Sequence, residues 1–134
     1  MWVKGIKNNM IDRNYTLHQH FRKKHKSIHY DLRILSISKK FVISFALPQK
    51  KIPDNKLSKV LVIRTPDHPL DTLNLKGKLK NSGDDIKILE KGKCSFVDYS
   101  ESKIDIIFYG KLVQGHFIFV KLDDNSWLMI SKKS

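Results

Sequence analysis

Hydrophobic and polar residues alternate along several short stretches of the chain, as in half-buried β-strands. The clearest stretch is residues 28–34, where His29, Asp31 and Arg33 alternate with apolar side chains. In a strand, the three polar residues point to one face and the apolar residues to the other. In an α-helix at about 100° per residue, Asp31 would lie nearly opposite the other two. The pattern therefore predicts a strand with a candidate site on one face and a core on the other.

Similar runs predict further strands that are separated by turn residues. A short strand begins in residues 15–18, a basic loop follows at 19–27, and residues 41–47 form a buried strand ending before Pro48. The other predicted strands are residues 60–65, 86–89, 95–99, 104–109, 116–122 and 127–130, with turns at 66–69, 82–85, 91–93 and 123–125.

Many short strands, without a ten-residue amphipathic helix, indicate an all-β, mainly antiparallel fold. We expect a small closed or nearly closed β-barrel with at most one or two short helices, one of them within residues 54–58. A chain of 134 residues has the size of one domain. We therefore expect residues 1–134 to form a single domain.

The charge of the chain points to a polyanionic partner. Lys and Arg total 26 against 13 Asp and Glu, a formal net charge of +13, which favours nucleic acid over an anionic membrane. Residues 1–40 contribute ten basic and two acidic residues, so +8 of the +13 lies there. A solubilising basic surface is the alternative interpretation.

Cysteine content and hydropathy restrict the setting of the protein. The single cysteine, Cys94, excludes an internal disulfide and a cysteine-based zinc cluster, so we expect it to be a small buried apolar residue. Residues 1–10 contain no apolar run of signal-peptide length, and no stretch is long enough to span a membrane. We expect an intracellular, cytoplasmic protein without membrane contact.

Several polar side chains could form a metal and phosphate site. Histidine nitrogen and aspartate oxygen suit a divalent metal, and the planar guanidinium of Arg33 suits phosphate. On the preceding strand, we expect only one of His18 and His20 to share the face of the site and supply a third ligand. His68 lies in a proline-flanked turn that could direct its imidazole toward a phosphate oxygen. The alternatives are a solvated edge strand and a surface histidine.

Two separated motifs carry a family resemblance. His-Tyr-Asp-Leu-Arg at residues 29–33 and Asp-His-Pro-Leu-Asp at residues 67–71 make the chain resemble the 3′-phosphoesterase domain of bacterial DNA ligase D and its stand-alone relatives. Residues 15–20 and 45–48 also match in order and spacing, and the resemblance extends over residues 15–133. It implies a small β-barrel phosphodiesterase and phosphomonoesterase, dependent on manganese, that removes 3′-phosphate and 3′-terminal ribonucleoside to leave a 3′-hydroxyl.

The resemblance also implies partners and site residues. The substrates would be DNA or RNA-containing DNA 3′ ends, a separate DNA ligase or polymerase would be the partner, and we expect a monomer. The residues that the resemblance assigns to Mn²⁺, or another divalent metal, are His20, His29 and Asp31, and those assigned to phosphate contact and catalysis are Arg33 and His68. His25 is the alternative first-strand ligand, because the gap between His20 and His29 is longer than in the usual family pattern.

The basic residues nearest these motifs are candidates for contact with the nucleic-acid backbone. They are Arg22, Lys23, Lys24, Lys26, Lys50 and Lys51. The chain has Gln49 and Thr72 where the family usually has Lys and Tyr, and its loop near residues 80–86 is short. These differences concern substrate contacts more than metal binding.

Two other functions fit parts of the pattern. A small Fe(II) oxygenase also uses a His-x-Asp strand and a distal histidine, for which His116 is the candidate. The net charge and Arg33 favour phosphate over that interpretation. A non-catalytic nucleic-acid-binding module with the same fold is the other alternative.

Overall fold

Antiparallel strands form almost all regular structure in the protein. The computed structural model describes residues 9–54 and 56–132. The strands are β1 (Ile11–Arg22), β2 (Ser27–Leu35), β3 (Val42–Leu47), β4 (Lys59–His68), β5 (Gly77–Lys78), β6 (Asp85–Tyr99), β7 (Lys103–Tyr109), β8 (Gln114–Lys121) and β9 (Ser126–Ser131). A 3₁₀ turn, Leu70–Asn74, follows β4, and no α-helix occurs in the described residues.

Strand pairing closes most of the sheet into a ring. The order is β1-β2-β3-β4-β9-β8-β7-β6-β5, and β1 also pairs with β6. This last pairing joins eight strands into a ring and leaves the two-residue β5 beside β6. The prediction of an all-β, antiparallel, nearly closed barrel is confirmed.

Apolar side chains fill the interior of the ring. Phe45 stacks on Phe119 with ring centroids 4.6 Å apart and meets the edge of Trp127 at 5.5 Å. Cys94 is fully buried in the same cluster, which confirms its predicted role as a small apolar residue. Burial of each large apolar side chain contributes roughly 1.5–3 kcal/mol, so this core holds the barrel together.

A partly buried carboxylate joins the β1–β6 seam to the turn after β7. The Tyr15 hydroxyl donates to Glu90 Oε2 at 2.6 Å, and Glu90 also accepts the amides of residues 111–113 at 2.7, 2.9 and 3.0 Å. Burial alone would raise the pKa of Glu90, but these hydrogen bonds hold it below its usual range. A Cβ at Gly110 would lie 1.8 Å from the Tyr15 hydroxyl oxygen, so only glycine fits in this turn.

Two predicted strand boundaries in the first half of the barrel are wrong. β1 spans Ile11–Arg22 because it pairs with both β2 and β6, so the basic loop shrinks to a four-residue basic turn, residues 23–26. β4 continues through Pro66 to His68, where a turn was expected. The register between β3 and β4 shifts at this point, and a proline, which lacks an N–H, is tolerated where the ladder is irregular.

The predicted turn at residues 91–93 is also wrong, because β6 is one continuous strand. Gly92 lies opposite Tyr15 in the pairing, and a Cβ there would be 2.6 Å from Tyr15 Cε1. Glycine at this position therefore accommodates a neighbouring ring and does not end the strand.

The helix expected within residues 54–58 is not formed by its described members, because Asp54 Oδ1 instead accepts the Lys56 and Leu57 amides in a turn, each at 2.8 Å. Residues 1–8, over which no leader was expected, lie outside the described residues. In the part of the chain that is described, no helix has the length and apolar character needed to cross a bilayer.

Candidate metal centre

The candidate site lies on the outer face of β1, β2 and β3. Pairing places His20 opposite His29 and His18 opposite Asp31, while Arg33 lies opposite Ser44. The apolar residues of β2, such as Leu32 and Ile34, are fully buried in the core. The predicted division of β2 into a polar and an apolar face is therefore confirmed, except that Ile28 is 39% exposed at the start of the strand.

The 3₁₀ turn covers part of this outer face. Thr16 Oγ1 donates to the Leu73 carbonyl at 2.8 Å, and Thr72 within the turn is buried. As a result, Asp31 and Arg33 are only 4% and 5% exposed although they lie outside the barrel. An open cavity of about 380 Å³ reaches them; its lining includes His20, Arg22, His29, Asp31, Arg33 and His68.

Three side chains in this cavity could share a cation. One ligand atom from each of His20, His29 and Asp31 lies within 4.8 Å of the others. His20 Nδ1 is 3.1 Å from Asp31 Oδ2, and His29 Nε2 is 3.1 Å from Asp31 Oδ1. Two imidazole nitrogens and one carboxylate fit a divalent metal with open positions for other ligands.

Hydrogen bonds keep Asp31 charged in spite of its burial. Burial alone would raise its pKa, but the bonds from His20 and His29 and the charge of Arg33 hold the pKa well below its ordinary value. The bonds to Asp31 and Asp84 raise the pKa of His20 against the opposing effect of burial. An anionic oxygen is therefore available to a cation at neutral pH.

Arg33 connects the candidate ligands to the rest of the cavity. Its Nη2 lies 3.1 Å from Asp31 Oδ2, and its Nη1 donates to Ser44 Oγ at 2.9 Å. Its buried Nε has no hydrogen-bond partner in residues 9–54 and 56–132. A buried guanidinium with an unused N–H fits an anionic oxygen, such as one from phosphate.

His68 lies at the end of β4 and not in the predicted turn. It lines the same cavity as Arg33, and its buried Nδ1 has no partner in the described part of the chain. Burial, and then the charge of Arg33, lower the pKa of His68. The imidazole is therefore neutral at pH 7 and retains one donor and one acceptor.

His18 shares the outer face with His20, and the expectation that only one of them would do so is wrong. Residues two apart in a strand point to the same side. His18 is fully buried, and neither ring nitrogen has a hydrogen-bond partner in the described residues. His18 is not one of the three residues grouped around the candidate metal position. We therefore expect the burial of its imidazole to affect the stability of the protein.

Acid is expected to destabilise the protein partly through His18. Burial and the charge of Arg33 lower its pKa from 6.5 to about 4. Between these pH values the unfolded chain binds a proton at this residue and the folded chain does not. The free energy of unfolding therefore decreases as the pH is lowered from 6.5 to 4, by ~3 kcal/mol in total. In urea titrations of the metal-free protein, His18→Gln should flatten this dependence between pH 6.5 and 4. An unchanged dependence would contradict the prediction.

The other two histidines considered as ligands lie apart from the group. His25 is exposed in the basic turn, so the structure brings together the set that contains His20. His116 bonds through Nε2 to Asp105 Oδ1, a partner on β7. The oxygenase hypothesis therefore lacks the distal ligand on which it relied.

Sequence reasoning missed two residues that contact the site. Ser44 accepts a hydrogen bond from Arg33, and Asp84 Oδ2 lies 2.8 Å from His20 Nε2. Asp84 is 64 positions from His20 in the chain, so no local spacing could reveal the contact. The only indication in the sequence was the presence of an aspartate in the turn before β6.

The basic candidates lie at the same end of the barrel as the metal group. Arg22 ends β1 and lines the cavity, and the lysines of the basic turn are exposed. Lys50 and Lys51 are exposed just after β3. Because Tyr30 pairs with Leu47, the start of β2 and the end of β3 are neighbours at this end. The two basic segments therefore flank the opening of the site.

Fold and site together define a near-barrel domain with a candidate His-His-Asp metal centre beside a buried arginine. The family model of the DNA Ligase D 3′-phosphoesterase domain matches residues 18–121, and the chain belongs to this family. All five residues assigned to metal, phosphate or catalysis lie inside the match. The resemblance inferred from the two motifs is thus confirmed.

One relative of this chain is a much longer protein. The chain is 25% identical over 117 residues to the multifunctional non-homologous end joining protein LigD of Mycolicibacterium smegmatis (strain ATCC 700084 / mc(2)155). The alignment covers 77% of this chain and 15% of the relative. The chain therefore spans about 15% of the length of that protein.

Proposed function

We propose that the protein is a metal-dependent phosphoesterase that heals DNA 3′ ends by removing 3′-phosphate and 3′-terminal ribonucleoside. The observation that carries the proposal is the convergence of His20, His29 and Asp31 next to a buried arginine with an unpartnered Nε. Family membership supports phosphate ester chemistry. The surrounding basic residues favour a nucleic-acid substrate.

The donor set supports a divalent cation, and Mn²⁺ is the ion we propose. Asp31 supplies an anionic oxygen, and His20 and His29 supply nitrogens within bonding reach of one position. Carboxylate with imidazole is compatible with Mn²⁺, although other divalent ions accept the same ligands. When bound, the ion would offset phosphate charge and activate a water molecule.

Arg33 and His68 are the residues we assign to the phosphate group. The guanidinium would donate to a non-bridging oxygen while it keeps its contact with Asp31. His68, neutral because of its lowered pKa, would hydrogen-bond a phosphate oxygen or transfer a proton to the leaving oxygen. Both side chains line one cavity with the three metal candidates.

One site is sufficient for two successive hydrolyses. In the first, water attacks phosphorus, the bond to the 5′-oxygen of the terminal nucleoside breaks, and that oxygen takes a proton. In the second, water attacks the phosphorus of the remaining 3′-phosphate, the bond to the 3′-oxygen breaks, that oxygen takes a proton, and inorganic phosphate leaves. Charge develops on the same kind of phosphorus centre in both steps. The resulting 3′-hydroxyl is the end that a separate DNA polymerase or ligase requires.

Ends that carry a ribonucleotide are expected to lose their terminal nucleoside faster than all-DNA ends. A 2′-hydroxyl beside the scissile phosphate offers a hydrogen bond that deoxyribose lacks. The test uses primer-templates with a 3′-phosphate, a 3′-ribonucleotide or an all-DNA end, with and without Mn²⁺. We expect 3′-phosphate removal only with metal, and slower nucleoside release because Gln49 and Thr72 replace the usual Lys and Tyr.

Two outcomes of this experiment would contradict the proposal. Equal nucleoside release from ribonucleotide and all-DNA ends would exclude a role for the 2′-hydroxyl. If binding persisted in chelator and no end gave a product, the protein would be a non-catalytic nucleic-acid-binding module.

The basic turn is expected to make DNA affinity strongly dependent on salt. Each phosphate that it neutralises contributes a slope of about 0.9 in log affinity against log salt. Lys24→Gln with Lys26→Asn should make the slope shallower by about this amount per lost contact. Asn is chosen because Lys26 has a φ of 47°, which Asn tolerates. Hydrolysis of a small phosphate ester should not change.

The control for this prediction removes two exposed lysines elsewhere on the barrel, Lys59 and Lys103. It causes the same loss of net charge without altering the basic turn. Equal slopes for the two double variants would show that only overall charge matters, and the basic turn would then be a solvated surface.

A further inference from the structure

The imidazole of His20 lies between two carboxylates. Its Nδ1 is 3.1 Å from Asp31 Oδ2, and its Nε2 is 2.8 Å from Asp84 Oδ2. Only Asp31 belongs to the three-residue metal group. Asp84, which immediately precedes β6, contacts the nitrogen on the other side of the ring.

The carboxylate of Asp84 is fixed by contacts of its own. Its Oδ1 accepts the backbone N–H of Lys23 at 3.0 Å, and its own N–H donates to Ser82 Oγ at 3.1 Å. The Leu79 N–H donates to the Asp84 carbonyl at 2.7 Å, and the side chain is only 16% exposed. Asp84 is therefore held in place by the turn before β6 and by the basic turn, and is not a freely moving surface acid.

We propose that Asp84 is a positioning residue for the metal centre. It accepts a hydrogen bond from the Nε2–H of His20 and so directs the Nδ1 lone pair toward the position shared with His29 and Asp31. The inference rests on the proposed metal-dependent function. Metal-binding histidines commonly donate their second N–H to a carboxylate, which fixes both tautomer and ring orientation.

The two neutral tautomers of His20 differ in their ability to bind a cation. With the proton on Nε2, Nδ1 presents a lone pair on the side of Asp31, which suits metal binding. With the proton on Nδ1, the lone pair faces Asp84, and two acceptors oppose each other. The Asp84 carboxylate therefore selects the tautomer that binds metal.

The first test compares two neighbouring aspartates. Asp84→Asn keeps the size of the side chain but replaces the charged acceptor with a weaker neutral one. Asp85→Asn makes the same charge change one residue later, at an exposed side chain. Mn²⁺ affinity of the full chain, measured by electron paramagnetic resonance of free Mn²⁺, should fall about 10- to 100-fold in Asp84→Asn. Affinity should be unchanged in Asp85→Asn.

The second test observes His20 directly. In ¹⁵N NMR of the imidazoles with diamagnetic Zn²⁺ bound, His20 should be protonated at Nε2, with a downfield proton that exchanges slowly. In Asp84→Asn that proton should move upfield and exchange faster. Unchanged Mn²⁺ affinity would overturn the inference, and so would a loss of thermal stability with the His20 resonance unmoved.

These readouts separate the inference from the proposed function. If the wild-type protein fails to bind Mn²⁺, the proposed function fails. The Nε2 proton of His20 in the metal-free protein, measured at a pH where the ring is neutral, then still tests the contact. If Asp84→Asn leaves this proton resonance unchanged, the proposed role of Asp84 is overturned. If the resonance moves upfield, the proposed role is supported.

Discussion

Replacing Asp31 by Asn is expected to abolish binding of a divalent metal and to reduce 3′-phosphate removal to background. Asn has nearly the same size, but it removes the negative charge of the carboxylate whose two oxygens contact His20 and His29. It also leaves the buried Arg33 without its charge partner, and breaking a buried pair costs ~3–5 kcal/mol. Calorimetric titration with Mn²⁺ and a 3′-phosphatase assay measure the two effects.

The control for Asp31 is another carboxylate in the same cavity. Asp67 lines the cavity, but its side chain is about half exposed and contacts Arg64 at 3.6 Å. Asp67→Asn should bind Mn²⁺ normally, and circular dichroism would establish that both variants fold. Full metal affinity in a folded Asp31→Asn protein would exclude Asp31 as a ligand.

Arg33→Lys is expected to decrease turnover by about 10²–10³-fold, the effect of losing one donor that stabilises charge in a transition state. Lysine keeps the positive charge near Asp31, but it lacks the planar fork that reaches Asp31 and Ser44 together. Metal affinity should therefore change little. Single-turnover hydrolysis and Mn²⁺ titration of the same preparation distinguish the two effects.

A second variant shows which contact of Arg33 matters. Ser44→Ala removes the acceptor of Nη1 and leaves the ion pair with Asp31 intact. We expect a smaller decrease in turnover, because the guanidinium keeps its charge and its main partner. If Arg33→Lys lost metal and turnover in parallel, the main role of Arg33 would be to hold Asp31.

The sequence was most informative where the relevant pattern is local. Alternation over residues 28–34 was sufficient to assign the faces of β2, because a strand repeats every two residues. The same rule, applied to His18 and His20, should have placed both on one face. The position of His68 beside Arg33 came from the resemblance, and its location at the end of a strand became visible only in the structure.

Features that depend on distant contacts could not be read from the chain. Gly92 looked like a turn residue, but its neighbour is the ring of Tyr15, a contact set by the β1–β6 pairing. The contact of Asp84 with His20 depends on the same pairing. The local pattern of a single sequence does not show which distant strands become neighbours. The roles of Gly92 and Asp84 could therefore not be assigned from the sequence.

The position of the site outside the barrel determines what size of molecule it can accept. The interior is filled by side chains such as Phe45, Phe119 and Trp127, so nothing has to enter the barrel. The cavity instead opens on the outer face of the barrel strands, so the end of a duplex could approach it while the rest of the polymer extends into solvent. Under the proposed function, the site would therefore place no limit on the length of the nucleic acid whose 3′ end it processes.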